Sequence, residues 1–228
     1  MILVVSDKEK DTSSTFGMET SRKTSPLLAY RAAHVVQPRL EEIEKAYLAK
    51  DFETFGRITM QDSNQFHAVC LDTFPPIFYM NDTSRIIMSL VRKLNELLGG
   101  IKVAYTFDAG PNAVIYTTEE YQHLLFAVMA HYFPAPGASA DYCNKPELYD
   151  EAIAHIDTFL TAAPAPAALI AGMDVVGRVP HAGDVKYIYL TKAGPGPQVQ
   201  PAAESLLDPA TGNLIPPGPK HKRMVIKN

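Results

Sequence analysis

Residues 102–117 of the 228-residue chain read KVAYTFDAGPNAVIYT, and two runs within them predict paired strands. Residues 102–107 and 113–117 are rich in β-branched and aromatic side chains, which favour strands. Between them lie Gly110, Pro111 and Asn112, three residue types that favour turns. The stretch therefore predicts a β-hairpin with a wide turn, and a turn of this kind is a place where chemistry could be sited.

The rest of the chain predicts two more strands and a set of helices. Residues 1–5 predict a first strand and residues 186–191 a last one. Residues 8–18 are polar and predict a loop. Helical spacing of apolar residues, or a helix start signal, marks residues 26–49, 52–60, 83–98, 119–133 and 146–160.

Several residues mark the ends of these helices. Ser25 and Asp51 are predicted N-caps, with Pro26 in a first turn. We expect a kink or interruption just before Pro38, because proline lacks the amide hydrogen that a helix interior needs. The pair Gly99-Gly100 is expected to end the helix that begins at Thr83.

This order of elements predicts an α+β fold, in which an antiparallel sheet of about four strands is covered by helices. We expect one domain over residues 1–200 and a proline-rich tail with a basic end over residues 201–228. Because Met1 begins directly on a buried-looking strand, we also expect that the chain was cut from a longer one.

The composition argues against several classes of function. With 21 basic and 25 acidic residues the net charge is −4, so no broad basic field attracts nucleic acid or an anionic membrane. Cys70 and Cys143 make neither a disulfide framework nor a zinc pattern, and the seven histidines lack metal-ligand spacing. The apolar start is too short to be a signal peptide or to span a bilayer. A small-molecule partner and a reducing, cytoplasmic compartment fit best.

Two polar clusters are candidates for chemistry, and each has a plain structural explanation. The hydroxyls and amides of Ser13, Ser14 and Thr15 could bind a diphosphate, although such runs beside a glycine are common at helix entries. Asp108 follows an apolar strand and precedes small residues that let a ligand approach the backbone. On local grounds alone, an Asx turn that caps the hairpin explains Asp108 slightly better than a functional role does.

Five segments in a fixed order resemble one known family. They read DTSSTFGM, TSPLL, MQDSNQFHAVCLDTFPPIFYMNDTS, VAYTFDAGPNAVIY and LTKAGPGPQ, and together they span roughly residues 2 to 200. In this order they resemble the carboxyl-terminal half of diphosphomevalonate decarboxylases, members of the GHMP kinase superfamily. Five motifs in sequence make the resemblance specific.

The resemblance implies an ATP-dependent lyase of the mevalonate pathway that converts mevalonate diphosphate into isopentenyl diphosphate, phosphate and carbon dioxide, for isoprenoid and sterol synthesis. It implies that Asp108 orients or deprotonates the tertiary hydroxyl of the substrate, so that the hydroxyl attacks the γ-phosphate of ATP. Ser14 and Thr15, and more weakly Ser13, would contact the diphosphate or carboxylate. Gly17 and Gly110 would serve the backbone shape.

The resemblance also sets limits on what this chain would do. ATP and Mg²⁺ would bind mainly to an amino-terminal lobe, to which no segment of the chain corresponds, so we expect the isolated chain to be inactive. No cofactor-binding or metal-binding residue is assigned within it, and a homodimer is expected. His67 is expected to pack or cap and not to act as a general base, and Cys70 to lie in the core.

Two other functions stay open at this point. The chain could be a non-catalytic dimerisation or binding module derived from the same fold. It could also belong to a sister kinase that phosphorylates without decarboxylating, although the intact TFDAGPNA turn, residues 106–113, disfavours this through the resemblance.

Overall fold

The computed structural model describes residues 1–8, 11–154, 179–199, 201, 205–208 and 210–214. The chain divides into two compact units, Met1–Thr191 and Lys192–Asn228. The described helices and strands of the first unit are β1 (Ile2–Val4), α1 (Ser14–Thr24), α2 (Pro26–His34), α3 (Val36–Ala49), α4 (Phe52–Asp72), α5 (Asp82–Leu97), β2 (Val103–Phe107), β3 (Ala113–Thr117), a 3₁₀ turn (Glu119–Tyr121), α6 (Gln122–Tyr132), α7 (Ser139–Tyr142), α8 (Pro146–Ala154) and β4 (Tyr187–Tyr189).

The predicted antiparallel sheet is confirmed. Its four strands stand in the order β2-β3-β1-β4, and every neighbouring pair is antiparallel. The hairpin predicted from residues 102–117 forms as expected, with Val103 opposite Thr117 and Phe107 opposite Ala113. The first strand lies between β3 and β4, and its Leu3 is completely buried. The α+β fold class is therefore confirmed.

The predicted helix signals act where they were placed. The Ser25 hydroxyl accepts a hydrogen bond from the Leu28 amide at 3.1 Å, and the Asp51 carboxylate accepts one from the Thr54 amide at 3.1 Å. Gly99 follows α5 with a φ of +70°, a conformation that glycine adopts without strain. The helix expected from Thr83 begins at Asp82, because Asn81 forms a capping box with Ser84.

The long predicted helix is interrupted as expected. It breaks at Val35, which separates α2 from α3. This break places Pro38 in the first turn of α3, where the amide hydrogen that proline lacks would have no helical partner. Of the helix predicted over residues 146–160, residues 146–154 are helical, and the remainder lies outside the described residues.

The loop predicted over residues 8–18 is partly wrong. Helix α1 begins at Ser14, because the Ser13 hydroxyl caps it by accepting a hydrogen bond from the Phe16 amide at 3.2 Å. Polar composition suggested a loop, but tertiary contacts favour the helix. One of these contacts joins the buried hydroxyls of Ser21 and Thr73 at 2.7 Å, which ties α1 to the end of α4.

Helix α4 packs closely against β2. A β-carbon at Gly56 would lie 2.8 Å from Ile101 Cγ2 and 3.1 Å from Ala104 Cβ, so only glycine allows the helix to approach the strand this closely. Residues of α5 and α6 complete the main core on the sheet, and residues 124–130 of α6 are all buried.

Strand β2 lies at the edge of the sheet, and side chains cover its outer backbone groups. At one end the buried Asn95 accepts hydrogen bonds from the Lys102 and Val103 amides and donates to the Val103 carbonyl, at 2.8 to 3.0 Å. At the other end the Ser63 hydroxyl accepts a hydrogen bond from the Phe107 amide at 2.9 Å. An edge strand needs such cover because unpaired backbone groups cost free energy when buried.

The second unit has little regular structure among its described residues. Leu207 and Leu214 form an antiparallel bridge across a turn, in which the Asp208 carboxylate accepts hydrogen bonds from the Ala210 and Thr211 amides. The basic end predicted for the tail, residues 220–227, lies outside the described residues.

Candidate active site

Asp108 is the first residue after β2, and its side chain is exposed to solvent. Its backbone carbonyl accepts a hydrogen bond from the Gly110 amide at 2.8 Å, which forms a tight turn. Within the described part of the chain no donor contacts its carboxylate, so the Asx turn considered from the sequence does not form. The carboxylate is therefore presented outward from the end of a buried strand.

Three polar side chains hold the turn around Asp108. Ser63 binds the Phe107 amide just before it. After it, the Ser84 hydroxyl donates a hydrogen bond to the Pro111 carbonyl at 2.9 Å. The Asn112 side-chain oxygen accepts hydrogen bonds from the Val5 and Ser6 amides at 2.8 and 3.0 Å. The turn is thus fixed to α4, to the start of α5 and to the end of β1. The sequence predicted Asn112 as a turn residue, but it did not predict that Ser63, Ser84 and Asn112 anchor the turn.

The hydroxyl cluster lies at the amino-terminal end of α1. Ser13 is its N-cap, Ser14 is half-buried in the first turn, and Thr15 is exposed. The first amides of a helix have no partner within it, and the helix dipole favours negative charge at this end. The hydroxyl of Ser13 caps the helix, whereas Ser14 and Thr15 lie in its first turn, beside the amides that could bind an anion.

Tyr79 links this helix end to the turn that carries Asp108. Its hydroxyl donates a hydrogen bond to the Ser13 carbonyl at 3.3 Å, and its ring stacks on Phe66 with 6.4 Å between ring centroids. Tyr79 belongs to a small buried cluster with Cys70 and Ile77, against which Phe66 and Ala109 pack. The two predicted site segments therefore border one apolar cluster, which brings them into the same region of the fold.

The two glycines are not explained by backbone shape, so that prediction is wrong. Neither Gly17 nor Gly110 has a positive φ. Gly17 is needed because a β-carbon there would lie 2.4 Å from the Tyr79 hydroxyl oxygen. At Gly110 a β-carbon would meet nothing within 4 Å, which leaves open space beside Asp108.

His67 and Cys70 are both buried in α4, as the sequence predicted. Burial raises the pKa of the Cys70 thiol to about 11, which leaves it protonated and unreactive. Burial lowers the pKa of His67, and the nearby backbone of Phe107 and the charge of Asp108 only partly oppose this. His67 is therefore neutral at physiological pH, with its ring packed against Phe66 and Phe107.

Metal sites and membrane spans are absent from the part of the chain that the structure describes. Its residues contain no group of three or more His, Cys, Asp or Glu side chains that could hold a metal ion. None of its helices is both long enough and apolar enough to cross a membrane.

Known proteins with similar sequences support one family. Residues 1–200 match the family described as the mevalonate 5-diphosphate decarboxylase C-terminal domain. The chain is similar to the diphosphomevalonate decarboxylase of Danio rerio, with 46% identity over 200 residues that cover 87% of this chain and 46% of that protein. It thus spans about half the length of that curated relative.

Solved structures agree with this comparison. A crystal structure of mevalonate 5-diphosphate decarboxylase has a TM-score of 0.70 and 42% identity, covering 93% of this chain and 51% of that one. A structure described as MDDEF in complex with MVAPP, AMPPCP and magnesium has a TM-score of 0.54 and 28% identity, covering 58% of this chain and 40% of that one. Relatives described as decarboxylases do not favour the alternative of a non-catalytic module.

Proposed function

Because the chain belongs to the mevalonate 5-diphosphate decarboxylase C-terminal domain family, we propose that it supplies the catalytic carboxylate of a diphosphomevalonate decarboxylase. The observation that supports this most directly is the exposed carboxylate of Asp108, held at the end of a buried strand by a turn with three anchors. The reaction is the ATP-dependent conversion of mevalonate diphosphate into isopentenyl diphosphate, phosphate and carbon dioxide.

In the proposed mechanism Asp108 accepts or orients the proton of the tertiary hydroxyl. The hydroxyl oxygen attacks the γ-phosphorus of ATP, and ADP leaves. The bond between the tertiary carbon and the new phosphate ester oxygen then breaks. The bond from the neighbouring carbon to the carboxylate breaks with it, and its electron pair forms the double bond as carbon dioxide departs. An exposed aspartate at a fixed backbone position suits this role, because proton transfer depends on the placement of the acceptor.

The end of α1 would bind the anionic groups of the substrate. We propose that Ser14 and Thr15 contact the diphosphate or the carboxylate through their hydroxyls and the first amides of the helix, with Ser13 contributing mainly by capping. The open space at Gly110 would let the substrate approach Asp108 without displacing protein atoms.

ATP and Mg²⁺ complete the proposal as co-substrates. The described residues contain no metal-binding cluster, so we assign Mg²⁺ to the nucleotide phosphates and the adenine site to the part of the family's length that this chain does not span. The structure with AMPPCP and magnesium supports this use of a nucleotide by a relative. We also propose that the complete protein is a cytoplasmic homodimer that feeds isoprenoid and sterol synthesis.

A chimera tests the proposal. This chain would replace the segment of the Danio rerio relative with which it aligns, and release of both ADP and carbon dioxide would be measured. Asp108→Asn should lower the rate of carbon dioxide release by about 10³-fold or more, because the variant cannot accept the proton. Asp141→Asn, an exposed carboxylate on α7, is the matched control and should leave the rate unchanged.

Either of two results would refute the proposal. One is a folded chimera that releases no carbon dioxide, and the other is near-normal turnover in Asp108→Asn.

A further inference from the structure

Helix α4 packs against strand β2, and one stripe of its residues faces that strand. At Gly56 the helix comes so close that a β-carbon would lie 2.8 Å from Ile101 Cγ2 and 3.1 Å from Ala104 Cβ. Ser63 is seven residues further along α4, and two helical turns return the chain to the same face. Ser63 is 4% exposed, so this stripe presents a buried hydroxyl to the last residue of β2.

The Ser63 hydroxyl binds the backbone of Phe107, the residue that precedes Asp108. It accepts a hydrogen bond from the Phe107 amide at 2.9 Å, which is within the usual range for a bond of this kind. It also donates to the Phe107 carbonyl at 3.4 Å, a longer and weaker contact. The bond from the amide is therefore the stronger link between α4 and the end of β2.

Strand β3 does not hold this end of β2 in the same way. Along an antiparallel strand, the backbone groups of successive residues point alternately toward the partner strand and away from it. Val103 directs its amide and carbonyl outward, where Asn95 binds them at 3.0 and 2.8 Å. Phe107 is four residues further on and therefore also directs these groups outward, to Ser63. The amide of the last residue of β2 is thus held from α4 and not from β3.

We propose that Ser63 is a positioning residue for Asp108, which fixes the direction of the carboxylate by holding the backbone of Phe107. Only the φ and ψ angles of Phe107 separate its bonded amide from the planar peptide that leads to Asp108. Orientation through the backbone is needed because the carboxylate itself receives no hydrogen bond within the described part of the chain. This inference rests on the proposed function, since it assigns a purpose to that orientation. A displacement of about 1 Å at a reacting group costs about 10²-fold in rate.

Two controls separate positioning of Asp108 from general support of the edge strand. Ser63→Ala removes the hydroxyl, whereas Ser63→Thr keeps it. Asn95→Ala removes backbone hydrogen bonds of the same kind from the other end of β2. In the chimera, Ser63→Ala should lower kcat by about 10–100-fold with KM within about 3-fold, because the end of α1 is unchanged. Ser63→Thr and Asn95→Ala should each retain kcat within about 3-fold of the parent.

Stability shows whether a loss of kcat reflects only a weakened strand. Each chimera is assayed under conditions where urea unfolding shows it to be folded. Ser63→Ala and Asn95→Ala should both unfold at a lower urea concentration than the parent, because each leaves buried backbone groups without partners. Of these two, only Ser63→Ala should also lose kcat. Normal kcat in Ser63→Ala, or an equal loss of kcat in Ser63→Ala and either control, would overturn the proposal.

A measurement on the chain itself keeps this test separate from the proposed function. Relaxation of ¹⁵N in NMR gives an order parameter for each backbone amide, which is about 0.85 in rigid backbone and below about 0.6 in flexible backbone. The Asp108 amide should be rigid in the parent and flexible in Ser63→Ala, with Thr106 rigid in both. A flexible Asp108 amide in the parent, or a rigid one in Ser63→Ala, would overturn the inference about Ser63. The decarboxylase proposal depends instead on the parent chimera and on Asp108→Asn.

Discussion

Substitution of Gly17 by alanine tests how closely the end of α1 is fitted to Tyr79. The new β-carbon would lie 2.4 Å from the Tyr79 hydroxyl oxygen and 3.3 Å from Ile77 Cδ1. The tyrosine ring cannot easily give way, since it is 7% exposed and stacked on Phe66. Overpacking of this kind costs about 1–3 kcal/mol, and loss of the hydrogen bond to the Ser13 carbonyl costs about 1 more.

Helix propensity acts in the opposite direction. Alanine is favoured over glycine inside a helix by about 1 kcal/mol. The net effect of Gly17→Ala should therefore be a loss of about 1–3 kcal/mol in the free energy of unfolding. For a chain of this size, each kcal/mol corresponds to about 2–4 °C in the unfolding midpoint.

A double-mutant cycle with Tyr79→Phe gives the sharper result, because that change removes the clashing oxygen. When Gly17→Ala is made in the Tyr79→Phe protein, it should stabilise the chain by up to about 1 kcal/mol, which reverses the sign of its effect. Urea unfolding followed by circular dichroism measures all four proteins. The reasoning is refuted if Gly17→Ala stabilises the parent, or if its effect is the same in both backgrounds.

Two further predictions concern stability away from the candidate site. Asn95→Ala leaves buried backbone groups at the edge of β2 without partners, so it should lower the free energy of unfolding in urea by about 3 kcal/mol. The control Arg92→Ala changes an exposed residue of the same helix and should alter the free energy of unfolding by less than about 0.5 kcal/mol. For Asp62, burial raises the pKa, but hydrogen bonds from Arg31 and Arg39 outweigh it and lower the pKa below its usual value. Because the pKa of Asp62 is lowered in the folded chain, Asp62→Asn should lower the free energy of unfolding at pH 7. The difference from the parent should shrink as the pH falls through the lowered pKa. A difference that does not change with pH would contradict this account.

Much of the fold was predictable because its signals are local. The hairpin of residues 102–117 depends on strand-forming runs around a turn, and both Ser25 and Asp51 cap helices through amides only three residues away. The same locality explains the failure at residues 14–18. Their polar composition favours a loop, but the helix also depends on Thr73, which is 52 residues from its partner Ser21.

The candidate site was predictable in part. Asp108 could be singled out as the residue that ends a strand, and its exposure agrees with a functional role. Its supports could not be predicted in the same way. Ser63 lies 44 residues from Phe107, and Asn112 lies 107 residues from Val5. A serine or asparagine with such a partner has no local pattern that distinguishes it from a surface residue.

The α+β class, the hairpin, most helix ends and the family to which the chain belongs could all be inferred without the folded structure. These follow from residue-by-residue preferences and from motifs read in order along the chain. The folded structure was needed to explain why residue 17 must be glycine, how the outer edge of β2 is covered, and which side chains hold the turn at Asp108. These features depend on hydrogen bonds and packing contacts between segments far apart in sequence. Such contacts require distances of a few ångströms, which are fixed only when the chain has folded.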